Sequence, residues 1–292
     1  MRSAFTAPAA VVRVECTHMN TLIRVAGALA IAAAVVPSLD AQWPSYPTAG
    51  VPRTPDGKFN ATAPAPRTPD GKPDLSGIWN YAGVLGFRGG PPPPPPGTPV
   101  QATFWNIEAG FKEGLPFQPW AAELRRQRMA TNSKDNPDAA CLPLGLMQLH
   151  THSQPRKMVQ TKDLIVVVYE ANAGLRQIFL DGRPAPTNDP QPWWFGYSRG
   201  HWDGDTLVVE TTGFRDDVWL DVNGAPLTSA GTLTERFTRP NYGTLEIDIT
   251  IDDPKAYTKP WTVRVNQRLL VDTELIEFVC LENQKFDTQR AK

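Results

Sequence analysis

The chain has 292 residues, 41% hydrophobic and 20% charged, with 29 basic against 30 acidic side chains, the composition of an ordinary globular protein. That balance leaves no excess of Lys and Arg to neutralise nucleic-acid phosphates or an anionic membrane, so neither is an expected partner. Proline is the anomaly: of 30 prolines, fifteen lie between Pro44 and Pro99, marking one stretch that can be neither helix nor central strand.

Residues 22–36, LIRVAGALAIAAAVV, are an apolar run broken only by Arg24 and ended by Pro37. This reads as the core of a signal peptide spanning 1–41, with Ala41 before the cut and Met19 as a start that gives the better leader. An uncleaved anchor is the alternative, but the 15-residue run falls short of the ~20 residues that span a bilayer. Cleavage implies a periplasmic or extracellular protein of net charge −2 with no stable membrane span. It also removes Cys16 and leaves Cys141 and Cys280 where disulfides persist. We expect these two to be bridged; two separate buried thiols are the alternative.

Next comes a proline-rich linker over 42–73, expected to be a disordered arm, in which Arg-Thr-Pro-Asp-Gly-Lys occurs at 53–58 and again at 67–72. Pro-Asp-Gly is turn chemistry, since proline presets φ and glycine accepts positive φ. Residues 74–81 read as a first strand, and an insert over 89–99, with Gly89-Gly90 and six consecutive prolines, as an exposed polyproline II loop. The spacing predicts one good helix near 119–132, opened by Pro119, with Arg125, Arg126 and Arg128 on a solvated face.

From residue 157 the signal is β throughout. Residues 158–160 and 164–170 form a hairpin, 175–180 a strand, and 197–202 and 206–211 flank Asp203-Gly204, a strong hairpin signal. Leu245, Ile247, Ile249 and Ile251 alternate with Glu246, Asp248 and Thr250, so one face is core and the other wet. Strands over 262–271 and 274–281 complete the set, with Glu246 and Asp248 placed to pair with Arg264 and Arg268 outside. The expected fold is all-β, an antiparallel barrel or a sandwich, as one domain over 74–285.

Leu75-Ser76-Gly77-Ile78-Trp79 resembles the Gly-x-Trp signature of lipocalins and the wider calycin group, whose first-strand tryptophan closes one end of a barrel. The resemblance implies a basic residue over that tryptophan, here Arg264 or Arg268. Residues 67–285 more closely resemble a broad group of secreted bacterial proteins of unknown activity, through the stretches at 67–79, 181–184, 196–198 and 202–211. That resemblance carries over no reaction and no catalytic residues.

Trp193, Trp194, Phe195, Tyr197, His201 and Trp202 stand within ten residues and could stack on a sugar or an aromatic ligand, or simply fill the core. Arg183 and His201 would be polar contacts for such a ligand. Asp181, Asp205 and Glu210 are candidate partners for His201 as a general base, the alternative being turn and surface carboxylates. His150-Thr151-His152 could offer two metal ligands if it lay on a strand, with His201 or a carboxylate as a third, but no metal is expected from so few histidines. Gly196-Tyr197-Ser198-Arg199-Gly200 has the letters of a nucleophile elbow, yet a hairpin follows where that motif needs a helix, so we read a glycine-flanked strand; were it an elbow, Ser198 and His201 would be the pair to test. No cofactor motif is present. The sequence thus points to a secreted barrel binding a small apolar, aromatic or glycan-type ligand. An acid/base hydrolase or lyase on the same barrel and a structural envelope protein are the alternatives.

Overall fold

A computed structural model describes residues 47–86, 91–187 and 191–280; the leader expected over 1–41 and the Gly89-Gly90 start of the insert lie outside them. The strands are β1 (Gly77–Tyr81), β2 (Val100–Gln101), β3 (Arg156–Gln160), β4 (Leu164–Tyr169), β5 (Leu175–Phe179) and β6 (Tyr197–Asp203). They continue with β7 (Thr206–Thr212), β8 (Val218–Trp219), β9 (Pro226–Leu227), β10 (Thr232–Asn241), β11 (Thr244–Asp252) and β12 (Trp261–Leu270). Nine of these pair in the order β1-β3-β4-β5-β6-β7-β10-β11-β12, and β12 pairs back onto β1, so the described residues close a barrel. Short β2 adds in parallel to β12, and β8 and β9 form a separate ribbon.

Alternation drives closure. In β11, Leu245, Ile247, Ile249 and Ile251 are buried while the residues between them reach the outer surface. Each buried isoleucine or leucine contributes about 1.5–3 kcal/mol. The β6–β7 hairpin turns at Gly204-Asp205, where Gly204 takes φ +59°. The barrel is not antiparallel throughout, because β5 and β6 run parallel through Ile178 opposite Ser198 and Phe179 opposite Arg199. The expected strand over 274–281 does not form: residues 273–279 are irregular, since β1 already occupies the edge of β12 that a further strand would need. They lead instead to Cys280, bridged to Cys141 with Cα atoms 5.7 Å apart.

The first long helix, α1 (Pro119–Ala130), lies where expected, but only one of its three arginines stands on a solvated face. Arg126 pairs with Glu123 at the surface; Arg125 is largely buried against Glu108 at 2.8 Å, and the Arg128 guanidinium lies 4.1 Å from the Trp219 ring centre. A second, shorter helix, α2 (Leu146–Thr151), is buried along its whole length and was not expected. Among the described residues no helix is long and apolar enough to cross a membrane. The prolines from Pro91 to Pro96 are exposed except Pro91 and Pro94, the three-residue period of a polyproline II segment laid along a surface.

The arm is ordered from residue 47 onward, which corrects the expectation of disorder. Each hexapeptide folds into the same loop. The Thr54 and Thr68 amides donate to the Lys58 and Lys72 carbonyls at 2.9 Å, and Gly57 and Gly71 adopt φ of +81° and +79°. Each loop's arginine then holds a carboxylate beyond the arm, Arg53 with Asp272 and Arg67 with Asp205, through two hydrogen bonds apiece. Between the loops, the Tyr242 and Gly243 amides donate to the Ala63 and Ala61 carbonyls at 2.8 Å. Trp79 is fully buried and donates Nε1–H to the Leu75 carbonyl at 2.9 Å. The basic residue over it is Arg239, 4.9 Å from the ring centre, rather than Arg264 or Arg268. The reason is parity: on β12 the inward residues are Val263, Val265 and Gln267, so Arg264 faces out, where it pairs with Asp248 at 2.6 Å and Glu246 at 3.0 Å.

Candidate functional site

Several strands break their apolar alternation with a polar residue on the inward parity. Arg156 shares its face with Met158, Tyr169 with Val167, Arg176 with Ile178, Thr211 with Val209, and Glu235 with Leu233 and Phe237; all are buried. Ser198 and Gln267 complete the group from β6 and β12. The last member, His150, comes from α2. That helix can enter because Gly145 precedes it: a Cβ there would stand 2.2 Å from the Trp219 carbonyl oxygen. Gln148 then donates to that same carbonyl at 3.1 Å, and Gln267 donates to the His150 carbonyl at 2.9 Å.

Glu235 is the hub. Its Oε1 accepts from His150 Nε2 at 2.7 Å and from Arg176 Nη1 at 3.0 Å, and its Oε2 takes a second bond from Arg176. Arg176 also donates Nε–H to Ser198 Oγ at 3.0 Å and Nη2–H to Thr211 Oγ1 at 2.9 Å. Burial alone pushes the Glu235 carboxyl up, but the Arg176 charge and the His150 hydrogen bond outweigh it and hold the group down at about 2. Burial lowers His150 in turn, against the pull of Glu235, so the ring is neutral at pH 7. With Nε2–H given to Glu235, Nδ1 is left as a buried acceptor with no partner among the described residues.

Arg156 differs from Arg176. Its guanidinium donates to the carbonyls of His150 at 2.8 Å, His152 at 3.2 Å and Gln154 at 3.4 Å, and no carboxylate pairs with it among the described residues. Burial lowers it to about 10, so it stays charged at neutral pH, and its Nε is unpartnered. The Tyr169 hydroxyl sits beside Arg176 without a well-formed hydrogen bond, and burial raises it. Gln267 Oε1 is unpartnered as well. These groups and the apolar Trp79, Met158, Val167, Phe237, Leu245 and Ile247 line one cavity of only ≈ 10 Å³. The space is therefore crevices between side chains with room for about one water.

The residues singled out from sequence are placed elsewhere. His201 lies on the exposed face of β6, and among the described residues no hydrogen bond joins it to a carboxylate. Its expected partners are engaged separately: Asp181 with Arg183 at 2.6 Å, Asp205 with Arg67 at 2.5 Å, and Glu210 with Arg199 at 2.6 Å. The Arg183 hydrogen bonds lower Asp181 and those of Arg67 lower Asp205. Ser198 is buried and bonded to Arg176 and Thr211, three residues and therefore one opposite face away from His201, so the two do not form a pair. Strand parity likewise divides the aromatics. Trp193 and Tyr197, 5.5 Å apart, continue onto Phe179 with Arg183 over its ring, while Trp194 and Trp202 pack against the core and lie under Arg215 and Lys72 respectively.

His150 and His152 do not share a strand face: the first lies in the last turn of the buried helix α2, and the second follows it with its ring against Phe104. Among the described residues no three His, Cys, Asp or Glu side chains are grouped to hold a metal. The signal missed in the sequence is a charged residue at core parity, as in Leu233-Thr234-Glu235-Arg236-Phe237, where Glu235 alternates with two apolar neighbours. Comparison with models of known protein families, with curated proteins and with solved structures finds no match to this chain.

Proposed function

We propose that the protein is an exported small-molecule-binding barrel, calycin-like in its Gly77-Ile78-Trp79 strand, and that its ligand sits inside the barrel rather than on the 193–202 aromatics. One observation carries the reading: a cavity lined by apolar side chains and by His150, Arg156, Tyr169 and Gln267, each with a buried polar atom lacking a well-formed hydrogen bond. Buried polar groups are nearly always paired, and the composition of a largely apolar wall with a few convergent polar groups is that of a ligand pocket. Export is supported by the apolar run before Pro37 and by a disulfide spanning 139 residues.

The test is a thermal-shift and calorimetric titration with hexanoate, hexanol and hexylamine, which share one tail. At least one should raise the melting temperature of the wild type and of Trp193→Ala, and should fail to do so with Val167→Phe, which fills the cavity. Loss in Trp193→Ala with retention in Val167→Phe would move the site to the surface aromatics. A second reading, acid/base catalysis, has the buried His150–Glu235 bond in its favour, with Nδ1 as the base. It requires chemical conversion of a bound compound by the wild type and none by His150→Gln; binding without conversion leaves the protein a binder.

A further inference from the structure

The charges inside the barrel do not balance. Arg176 and Glu235 neutralise one another through two hydrogen bonds, and His150 spends its one N–H on the same carboxylate. Arg156 remains, with 2% of its surface exposed and only backbone carbonyls as partners. Arg239, the other buried arginine nearby, also bonds only carbonyls, those of Asp74 and Tyr242, so it adds to the positive excess. The buried carboxylates Asp221 and Asp253 are bound elsewhere, to the Ile107 and Ala225 amides and to Thr228. An isolated charge in a medium of low dielectric is strongly destabilising unless an opposite charge joins it.

Resting on the interior-binding reading above, we infer that the ligand is a small monocarboxylate whose head group is received by Arg156 Nε and the Tyr169 hydroxyl and whose short apolar tail lies against Trp79, Met158, Phe237 and Leu245. The head group follows from Arg156, the cation without a carboxylate partner that lines the cavity, and from a guanidinium edge and a hydroxyl that both donate. An apolar tail distinguishes the ligand from a bare inorganic anion, because six of the eleven lining residues are apolar. Size follows from the tight space: crevices with room for about one water take a tail only where the unbranched Met158 side chain gives way, so affinity should fall as the chain lengthens from acetate to hexanoate.

The experiment uses the full chain with its disulfide intact and calorimetric titration with sodium acetate, butyrate and hexanoate, each against the alcohol of equal length, in constant chloride. The wild type should prefer the carboxylate by about ten- to a hundredfold, the range of one charge-assisted hydrogen bond. Arg156→Gln should reduce that preference to about twofold or less, the carboxylate losing far more affinity than the alcohol. Because Arg156→Gln removes hydrogen bonds to α2 and the loop after it and so risks unfolding the chain, Tyr169→Phe serves as the second variant, with a several-fold loss for the carboxylate.

Equal affinity of the wild type for hexanoate and hexanol would overturn the anion inference and leave the interior-binding reading standing. Stabilisation by chloride that no carboxylate exceeds would also overturn it, as would an unchanged carboxylate preference in both variants. Failure of every acid, alcohol and amine to bind the wild type would overturn the interior-binding reading itself, and this inference with it.

Discussion

Glu235 shows how much one buried side chain decides. Removing its charge leaves Arg176 without a counter-ion and only one acceptor oxygen to share between Arg176 and His150, so Glu235→Gln should lower stability by about 3–5 kcal/mol in chemical denaturation. Ser198→Ala removes one of several acceptors of the same arginine and should cost about 1 kcal/mol. The signs of the pKa shifts set the pH dependence. The folded His150 is held below its ordinary 6.5, so the stability tied to its neutral form is complete above 6.5 and declines as pH falls below it. Glu235, held at about 2 against an ordinary 4.5, contributes above 4.5 and loses its contribution as pH falls from there towards 2. That second stage amounts to about 3 kcal/mol. Equilibrium unfolding across pH 3–7 should show both stages in the wild type, and His150→Gln should flatten the stage that begins near 6.5.

At the scale of elements, two glycines separate conformational demand from crowding. Gly204, at the β6–β7 turn, has φ +59° and open space around it, so Gly204→Ala should cost about 1–2 kcal/mol, the left-handed penalty alone. Gly77, at the start of β1, has φ +138°, and a Cβ there would meet Leu269 Cδ1 at 2.6 Å. Gly77→Ala should therefore cost more than Gly204→Ala in the same denaturation experiment, because strain and overpacking act together. The arm behaves differently, since its Arg67–Asp205 pair is more than half exposed and should contribute under about 1 kcal/mol. Hydrogen exchange should thus show Arg67→Ala loosening residues near 61–63, whose carbonyls bond Tyr242 and Gly243, while amides of the barrel strands stay protected.

At the scale of the whole molecule the Cys141–Cys280 bridge is a long-range covalent constraint, closing a loop across 139 positions. In the loop-entropy account it stabilises the fold by up to about 5 kcal/mol. Cys141→Ala with Cys280→Ala should lower the melting temperature by a clearly measurable margin, and dithiothreitol should do the same to the wild type but leave the double variant unchanged.

Local physics made the barrel strands legible. Period-two alternation announced β11, Asp203-Gly204 announced the β6–β7 hairpin, and Pro119 followed by good helix formers announced α1. The repeated hexapeptide announced its turns but not its order, because the carboxylates that hold Arg53 and Arg67 lie 219 and 138 residues away. The same distance hid the site. His201 drew attention through its aromatic neighbours, yet strand parity turns it outward. His150, Arg156, Arg176 and Glu235 are scattered over four elements and meet only because closure of β1 onto β12 turns their faces into one interior. A sequence by itself determines which residues alternate and where the chain turns, since those depend on neighbours along the chain. Which polar groups share a low-dielectric interior, and which of them is left without a counter-charge, depends on contacts that only the closed barrel creates.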